Sequence, residues 1–491
     1  MRRNLGILVV LVISVFSNIS LASDAVLNIA VPADPDTFDP HRTVAAASAE
    51  IAFNVYEGLV KATPQGGVEG ALATHWEVDE TKTVYTFYLR DAKFHDGTPV
   101  RVSDAAAALN KARDPNVSQR AAEFSDIDSI TPLEGAIRIK LKEPNAAFVY
   151  SLSEPAAAIY PENASNLAIQ PVGTGPYRLV EWRPNQYVKL ERFDHHWSGK
   201  KPYYKEVFFR IIPDENSMVL NLKSGRVDLI PRLEASVLHQ VEHDSSLKVL
   251  SGPMNVVQVL AINNARPPFD DWRVRKALAL AVNKEEVILG AAWGYGKPLD
   301  SGISPAMAVF YNDELSDVNP YDPKQAQTLL REAGLEDLSF TLVLPAAYPL
   351  HIQTGELVAE QWKQIGLDVN IQIVEWGTWL EKVYSQRDYD VSIIGLAGRL
   401  DPHPILVRYE SSNSRNFFNF SNERYDELIR LGLLAEEEER VQIYHEAQRI
   451  LAEEVAGVFI MDPPYLAAML KTLKGWQHYP TYVVDVASLY Q

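Results

Sequence analysis

Hydrophobic positions in this chain alternate between two periods, and the places where the period changes outline its elements. From Val84 to Leu89, Val84, Thr86 and Tyr88 take one face and Tyr85, Phe87 and Leu89 the other, the period-two pattern of a strand built from β-forming residues. Gly97 and Pro99 then mark a turn, and Ser103 opens an alanine-rich helical pattern. Tyr177 to Trp182 and Val391 to Ile394 also read as strands. Val256 to Asn263 is a near-continuous apolar run of strand length, as a strand buried on both faces requires. Pro267-Pro268 breaks it, and a helix starting at Asp271 or Trp272 carries Val274, Ala277, Leu278 and Ala281 at helical spacing. Asp322 reads as an N-cap with Pro323 in the first turn, and Gly334 as the C-cap of that helix. Gly366 closes a further helix expected from about Gly355 to Ile365. After it Val369, Ile371 and Ile373 alternate into Trp376. The chain is therefore expected to be α/β, with strands and helices interleaved and no internal repeat or low-complexity linker.

The first residues form a unit of their own. Arg2 and Arg3 precede an apolar run from Leu5 to Phe16, and Ser20-Leu21-Ala22 places small residues where a signal peptidase reads them, so residues 1–22 are expected to be a cleaved signal peptide. The run is shorter than the roughly 20 apolar residues of a membrane span. The chain has no cysteine, which excludes a lipid anchor on cysteine, a disulfide and thiolate chemistry. A soluble periplasmic protein is the expectation. Removing the two leader arginines takes the formal charge from −18 to about −20, which disfavours nucleic acid as a partner. Glu436 to Glu439 reads as a solvated helix face.

Catalytic constellations are missing. There is no zinc-protease helix, no phosphate loop ending in Gly-Lys-Ser/Thr and no Gly-x-Ser-x-Gly elbow, so the chain is read as not an enzyme, with a secreted hydrolase as the alternative from another class. Gly173-Thr174-Gly175-Pro176 lacks the third glycine and following helix of a dinucleotide loop and reads as a tight turn into a strand. His195 and His196 would point to opposite faces of a strand and cannot face one ion together. No cofactor and no resident metal are expected.

Several ordered segments resemble one family. Leu72-Ala73, Trp76, Tyr85 to Arg90 and Phe94 to Pro99 match, in order and spacing, the signature of bacterial extracellular solute-binding proteins of family 5. Asp36 to Pro40, Asn54 to Val60, Pro171 to Tyr177, Trp197, Ser224 to Ile230, Val274 to Ala277, Glu375 to Gly377, Asp401-Pro402 and Asn419 to Leu428 are similar to further family motifs. The resemblance implies a two-lobed, type II-like periplasmic-binding-protein fold in its three-domain variant, with a hinge and a ligand cleft between the lobes. Lobe one would hold residues 23–56, 171–256 and 463–491, an added α/β domain residues 57–170, and lobe two residues 257–462. It also implies a receptor that delivers a small-molecule or peptide ligand to an ABC permease of the inner membrane, working as a monomer.

Ligand choice is expected in the segment from Tyr389 to Tyr409. Peptide-binding members carry there an aspartate for the peptide ammonium group; here the nearest equivalent is Arg399, a reversal of charge. Dipeptide binders also carry an arginine before the helix containing Trp362, and Leu344 to Tyr348 has no basic residue. Arg399 either meets a ligand carboxylate through its planar fork or pairs with Asp401 or another loop acid. The candidate ligand-binding residues are Arg399, Asp401, His403, Trp376, Trp379, Phe38 and Tyr409. The expected ligand is a short or modified peptide or an opine-like conjugate. Because Asp401-Pro402-His403 resembles nickel-binding members, a nickel chelate is the alternative.

Overall fold

A computed structural model describes residues 25–491 except Val44 and Tyr482; the expected signal peptide lies outside the described residues. Two large sheets carry the architecture. The first has seven strands in the order Leu247–Pro253, Pro464–Leu470, Leu229–Ile230, Val26–Val31, Glu206–Ile211, Tyr187–Arg192 and Tyr177–Arg183. The second has six, in the order Lys297–Pro298, Gly457–Asp462, Val256–Ile262, Val391–Ala397, Ser339–Pro345 and Asp368–Val374. A four-stranded antiparallel sheet, Ala73–Val78, Val84–Leu89, Ala136–Leu141 and Ile127–Pro132, stands apart from both. A two-stranded hairpin joins Val60–Ala62 to Val68–Gly70.

The local signals account for much of this. Val256–Ile262 is central in the second sheet, between Val391–Ala397 and Gly457–Asp462, and is buried along nearly its whole length. Asp271 caps the helix Trp272–Leu280 by accepting from Arg273 N. Asp322 caps Pro323–Glu332, and Gly334 takes φ +73° just beyond that helix, a conformation that costs glycine little. The helix ending before Gly366 begins at Pro349 rather than near Gly355. Proline at the first helical position loses only an N–H that would be unpaired anyway. Glu436, Glu438 and Glu439 are exposed around the start of the helix Glu437–Glu453, with Lys82 Nζ 2.9 Å from Glu436 Oε1.

The chain passes between the two large sheets twice, and the passages lie side by side. Leu247–Pro253 of the first sheet runs through Met254 and Asn255 into Val256–Ile262 of the second; Gly457–Asp462 returns through Pro463 into Pro464–Leu470 of the first. Asp462 ties them together. Its carboxylate accepts from the backbone N–H groups of Met254 at 2.8 Å, Asn255 at 3.1 Å and Val256 at 3.4 Å, and from Ser304 Oγ. Separate apolar clusters pack on the sheets: Trp362, buried among Leu278, Phe340 and Val358, anchors one side of the second sheet, and Trp379 with Phe417 and Tyr425 the other.

Candidate functional site

Between the sheets lies a cavity of about 1560 Å³. Its walls come from distant parts of the chain: Phe38 and Phe53, the stretch from Gln119 to Glu123, Ser153 to Pro155, the connector Met254 to Val256, the loop Ala397 to Leu400, and Tyr479. Much of its surface is apolar, and charged side chains stand around it.

One wall is built from motif residues that are scattered in sequence. Glu57 Oε2 accepts from Thr174 Oγ1 at 2.9 Å and Trp197 Nε1 at 2.8 Å, and Oε1 lies 3.3 Å from His196 Nε2. The Arg90 guanidinium lies over the Trp197 ring at 3.7 Å. His95, from the His-Asp-Gly turn, docks onto the glycine loop: its backbone N–H donates to Gly173 O at 2.9 Å, Nδ1 accepts from Gly173 N at 3.3 Å, and Nε2 lies 3.0 Å from Gly175 O. Burial pulls the His95 pKa down to about 4. The neutral ring this favours can accept at Nδ1 while donating at Nε2. A Cβ at Gly173 or Gly175 would lie 2.0 Å from Val55 O or 2.4 Å from Asn54 O. The loop therefore serves close backbone packing, and the strand Tyr177–Arg183 follows it.

The opposite wall is the loop after Val391–Ala397. Gly398 N donates to Asn255 O at 2.6 Å, and Asn255 Nδ2 donates to Arg399 O at 3.1 Å and Pro480 O at 2.7 Å. Leu400 packs with Ala62, Tyr479 and Val483. The Arg399 guanidinium reaches across to Glu123 Oε1 and Glu154 Oε2, each at 3.5 Å. The same two acids hold Arg120, at 3.0 and 2.8 Å.

The seven sequence candidates fall into two groups. Phe38 and Arg399 line the cavity; Trp376, Trp379, Asp401, His403 and Tyr409 stand outside its lining. Asp401 does not pair with Arg399. Its carboxylate is buried against Arg440, with Nη2 at 2.5 Å from Oδ2, and Oδ1 accepts from His403 N at 2.8 Å. His403 lies beside Tyr444, with Nδ1 3.3 Å from its hydroxyl, and burial lowers its pKa to about 4. Trp379 is 2% exposed and donates to Ser392 Oγ at 2.9 Å. Trp376 stacks on it at 5.1 Å and meets Tyr348 edge-on. Tyr409 is fully buried, stacked on Phe418 at 4.4 Å.

Sequence reading passed over Arg120, Glu123 and Glu154, whose pattern carries no signal, and Asn255, whose role depends on a contact with the distant Pro480. Arg408 also lines the cavity and lies inside the segment from Tyr389 to Tyr409, but only its charge marks it. Among the described residues no three His, Asp or Glu side chains are placed to hold a metal ion, and no helix is long and apolar enough to cross a membrane.

Known proteins resemble this chain in sequence and in fold. Heme-binding protein A of Haemophilus influenzae is 29% identical over 454 residues, 84% of this chain and 82% of that protein. The glutathione-binding protein GsiB of Shigella flexneri is 26% identical over 477 residues, 91% of each. The unliganded open form of the periplasmic murein tripeptide binding protein MppA has the same fold, with a TM-score of 0.86 at 24% identity over 95% of this chain and 97% of that one. A family model described as bacterial extracellular solute-binding proteins, family 5 (middle) matches residues 67–417, most of the chain. A match over that much of the sequence settles the family: this chain belongs to the bacterial extracellular solute-binding proteins of family 5.

Proposed function

We propose that this chain is the periplasmic receptor of an ABC importer and that its cavity captures a short or modified peptide, or an opine-like amino-acid conjugate, for delivery to the permease. The observation that carries this reading is the cavity itself. At about 1560 Å³ it exceeds the roughly 300–1,000 Å³ of pockets for drug-sized ligands. Its apolar surface suits side chains, and its charged rim suits a polar backbone and carboxylates. Glutathione, named for one relative, is a modified tripeptide of this class. His403, on which the nickel alternative draws, stands outside the lining, and among the described residues no three His, Asp or Glu side chains are placed to hold a metal ion.

The proposed working parts follow the two sheets. Residues 23–56, 171–256 and 463–491 form lobe one, residues 57–170 the added domain and residues 257–462 lobe two. The paired connectors at Met254-Asn255 and Pro463 are the hinge. Solute binding needs only to favour the closed lobes over the open ones, because that difference alone shifts the population. The mature chain acts as a monomer after residues 1–22 direct its export, and no step makes or breaks a covalent bond.

Native mass spectrometry of residues 23–491 isolated from their own periplasm, followed by denaturation and identification of what is released, tests this. A released peptide or amino-acid conjugate is the expected result. Release of heme or a nickel complex overturns the ligand class.

A further inference from the structure

The cations around the cavity differ in how their charge is met. Arg120 and Arg399 share Glu123 and Glu154. Arg90 has a buried Nε without a partner, but its guanidinium lies on Trp197, donates from Nη2 to Ala73 O at 3.1 Å and feels the charges of Glu57 and Glu69. Lys61 faces Glu69 at 3.2 Å, and Lys200 is exposed to water.

Arg408 has none of these arrangements. It stands in the 3-10 turn Val407–Tyr409 and lines the cavity, with its side chain mostly withdrawn from solvent. Its Nε is buried and has no hydrogen-bond partner. Among the described residues no carboxylate lies within ion-pair distance of it. Burial lowers its pKa, and the cations Arg415 and Arg399 add to that effect, while Tyr384 and Tyr409 oppose it. A partly buried guanidinium whose Nε has no partner, lying beside two other cations, gains from an anion that completes its surroundings.

We propose that Arg408 is the carboxylate anchor of the cavity. The solute presents a carboxylate to the Arg408 fork, whose planar donors match the two oxygens, and the field of Arg399 reinforces the attraction. Glu123 and Glu154 keep Arg399 turned toward their side of the cavity, so Arg408 is the guanidinium left for the ligand. The assignment rests on the cavity being the solute site and adds to that reading a requirement, an acidic group on the solute.

The test has two arms. In the first, tri-alanine, glutathione and an N-carboxyethyl amino acid are titrated calorimetrically into wild-type protein and Arg408→Met, each compound as the free acid and with its carboxyls amidated. At least one free acid binds wild type, and its amide binds at least about tenfold more weakly, the worth of one charge-assisted hydrogen bond. In Arg408→Met the acid loses that advantage and the two forms bind alike, while Arg408→Lys restores part of it. Equal binding of acid and amide to wild type, or a preference surviving in Arg408→Met, overturns the anchor. In the second arm the ligand-free proteins are melted. A partly buried charge with no protein counter-ion, kept for a ligand, makes Arg408→Met melt above wild type; a lower midpoint shows a structural role and overturns the proposal. If no compound binds in either form, the peptide-like ligand class falls, and the melting comparison alone decides for or against Arg408.

Discussion

Replacing Arg440 with methionine should destabilise this protein severely although it leaves the cavity untouched. Arg440 is 2% exposed; its Nη2 meets Asp401 Oδ2 at 2.5 Å, its Nε donates to Gly432 O at 2.8 Å, and its guanidinium lies 5.5 and 5.4 Å from the Phe310 and Tyr444 ring centres. Methionine keeps most of the volume and the contact with both rings. What it removes is the counter-charge of a carboxylate whose residue is also 2% exposed and which then retains only the donor His403 N. Removing one partner of such a buried pair costs about 3–5 kcal/mol, because the remaining charge cannot regain its hydration. Asp401→Asn leaves the mirror defect. The double variant, Asp401→Asn with Arg440→Met, buries no charge at this place and should lie well short of the sum, with a coupling of about 2–3 kcal/mol. Urea unfolding followed by tryptophan fluorescence reads this out, since Trp379 belongs to the same apolar cluster as Tyr444 and Trp376 packs against it. A cost below about 1 kcal/mol for Arg440→Met, or additive single effects, would refute the reasoning from uncompensated charge.

Asp462→Asn tests the crossing. Burial raises the Asp462 pKa to about 6 against its backbone and Ser304 donors, so the folded state holds the proton more tightly than the unfolded chain. Its stabilising contribution is present below about pH 4 and is lost as pH rises through 6, a difference of up to about 3 kcal/mol. Urea midpoints of both proteins at pH 4 and pH 7.5 should show wild type losing ground to the variant as pH rises; a pH-independent difference would count against it. Gly175→Ala forces a Cβ to within 2.4 Å of Asn54 O and 2.8 Å of two backbone carbons and should lower stability by about 1–3 kcal/mol or more. Gly377→Ala, in the short helix Trp376–Trp379 with nothing within 4 Å of the new Cβ, should be neutral or gain up to about 1 kcal/mol. Chemical denaturation of the two glycine variants separates these outcomes, and equal effects would contradict both.

The elements that sequence reading recovers are those whose cause is local. Asp322 with Pro323 and Gly334 frame one helix through their own backbone chemistry, and the run from Val256 announces a strand buried on both faces. Pro349 shows the limit: a proline that begins a helix and one that breaks it look alike until the following turn is known. In the site, the segment from Tyr389 to Tyr409 was legible as a region, yet the direction of its side chains was not. Whether Asp401 or Arg399 turns into the cavity is decided by Arg440, far along the chain on another helix. The arginine on the open side meets acids from the residues around Glu123 and Glu154. Trp379 illustrates the same point, since the acceptor Ser392 Oγ on the neighbouring strand pulls its indole inward.

That asymmetry follows from what a receptor requires. The groups around Glu57 satisfy one another: Thr174, Trp197 and His196 meet its two oxygens, His95 fills the glycine loop, and any one residue constrains the rest. Such a network needs its members at fixed places, and a fixed set of residue types in order is what a reader of sequence can detect. A ligand anchor is built the opposite way. Its hydrogen-bonding capacity must be left unused by the protein so that the solute can meet it, which is why Arg408 has a buried Nε without a partner while Glu123 and Glu154 beside Arg399 are both engaged. Nothing in the chain's internal chemistry then specifies the anchor, and it leaves no companion motif. In a fold of this kind the frame is found by looking for groups that complete each other, and the specificity by looking along the cavity for a charge that the protein leaves without a counter-ion.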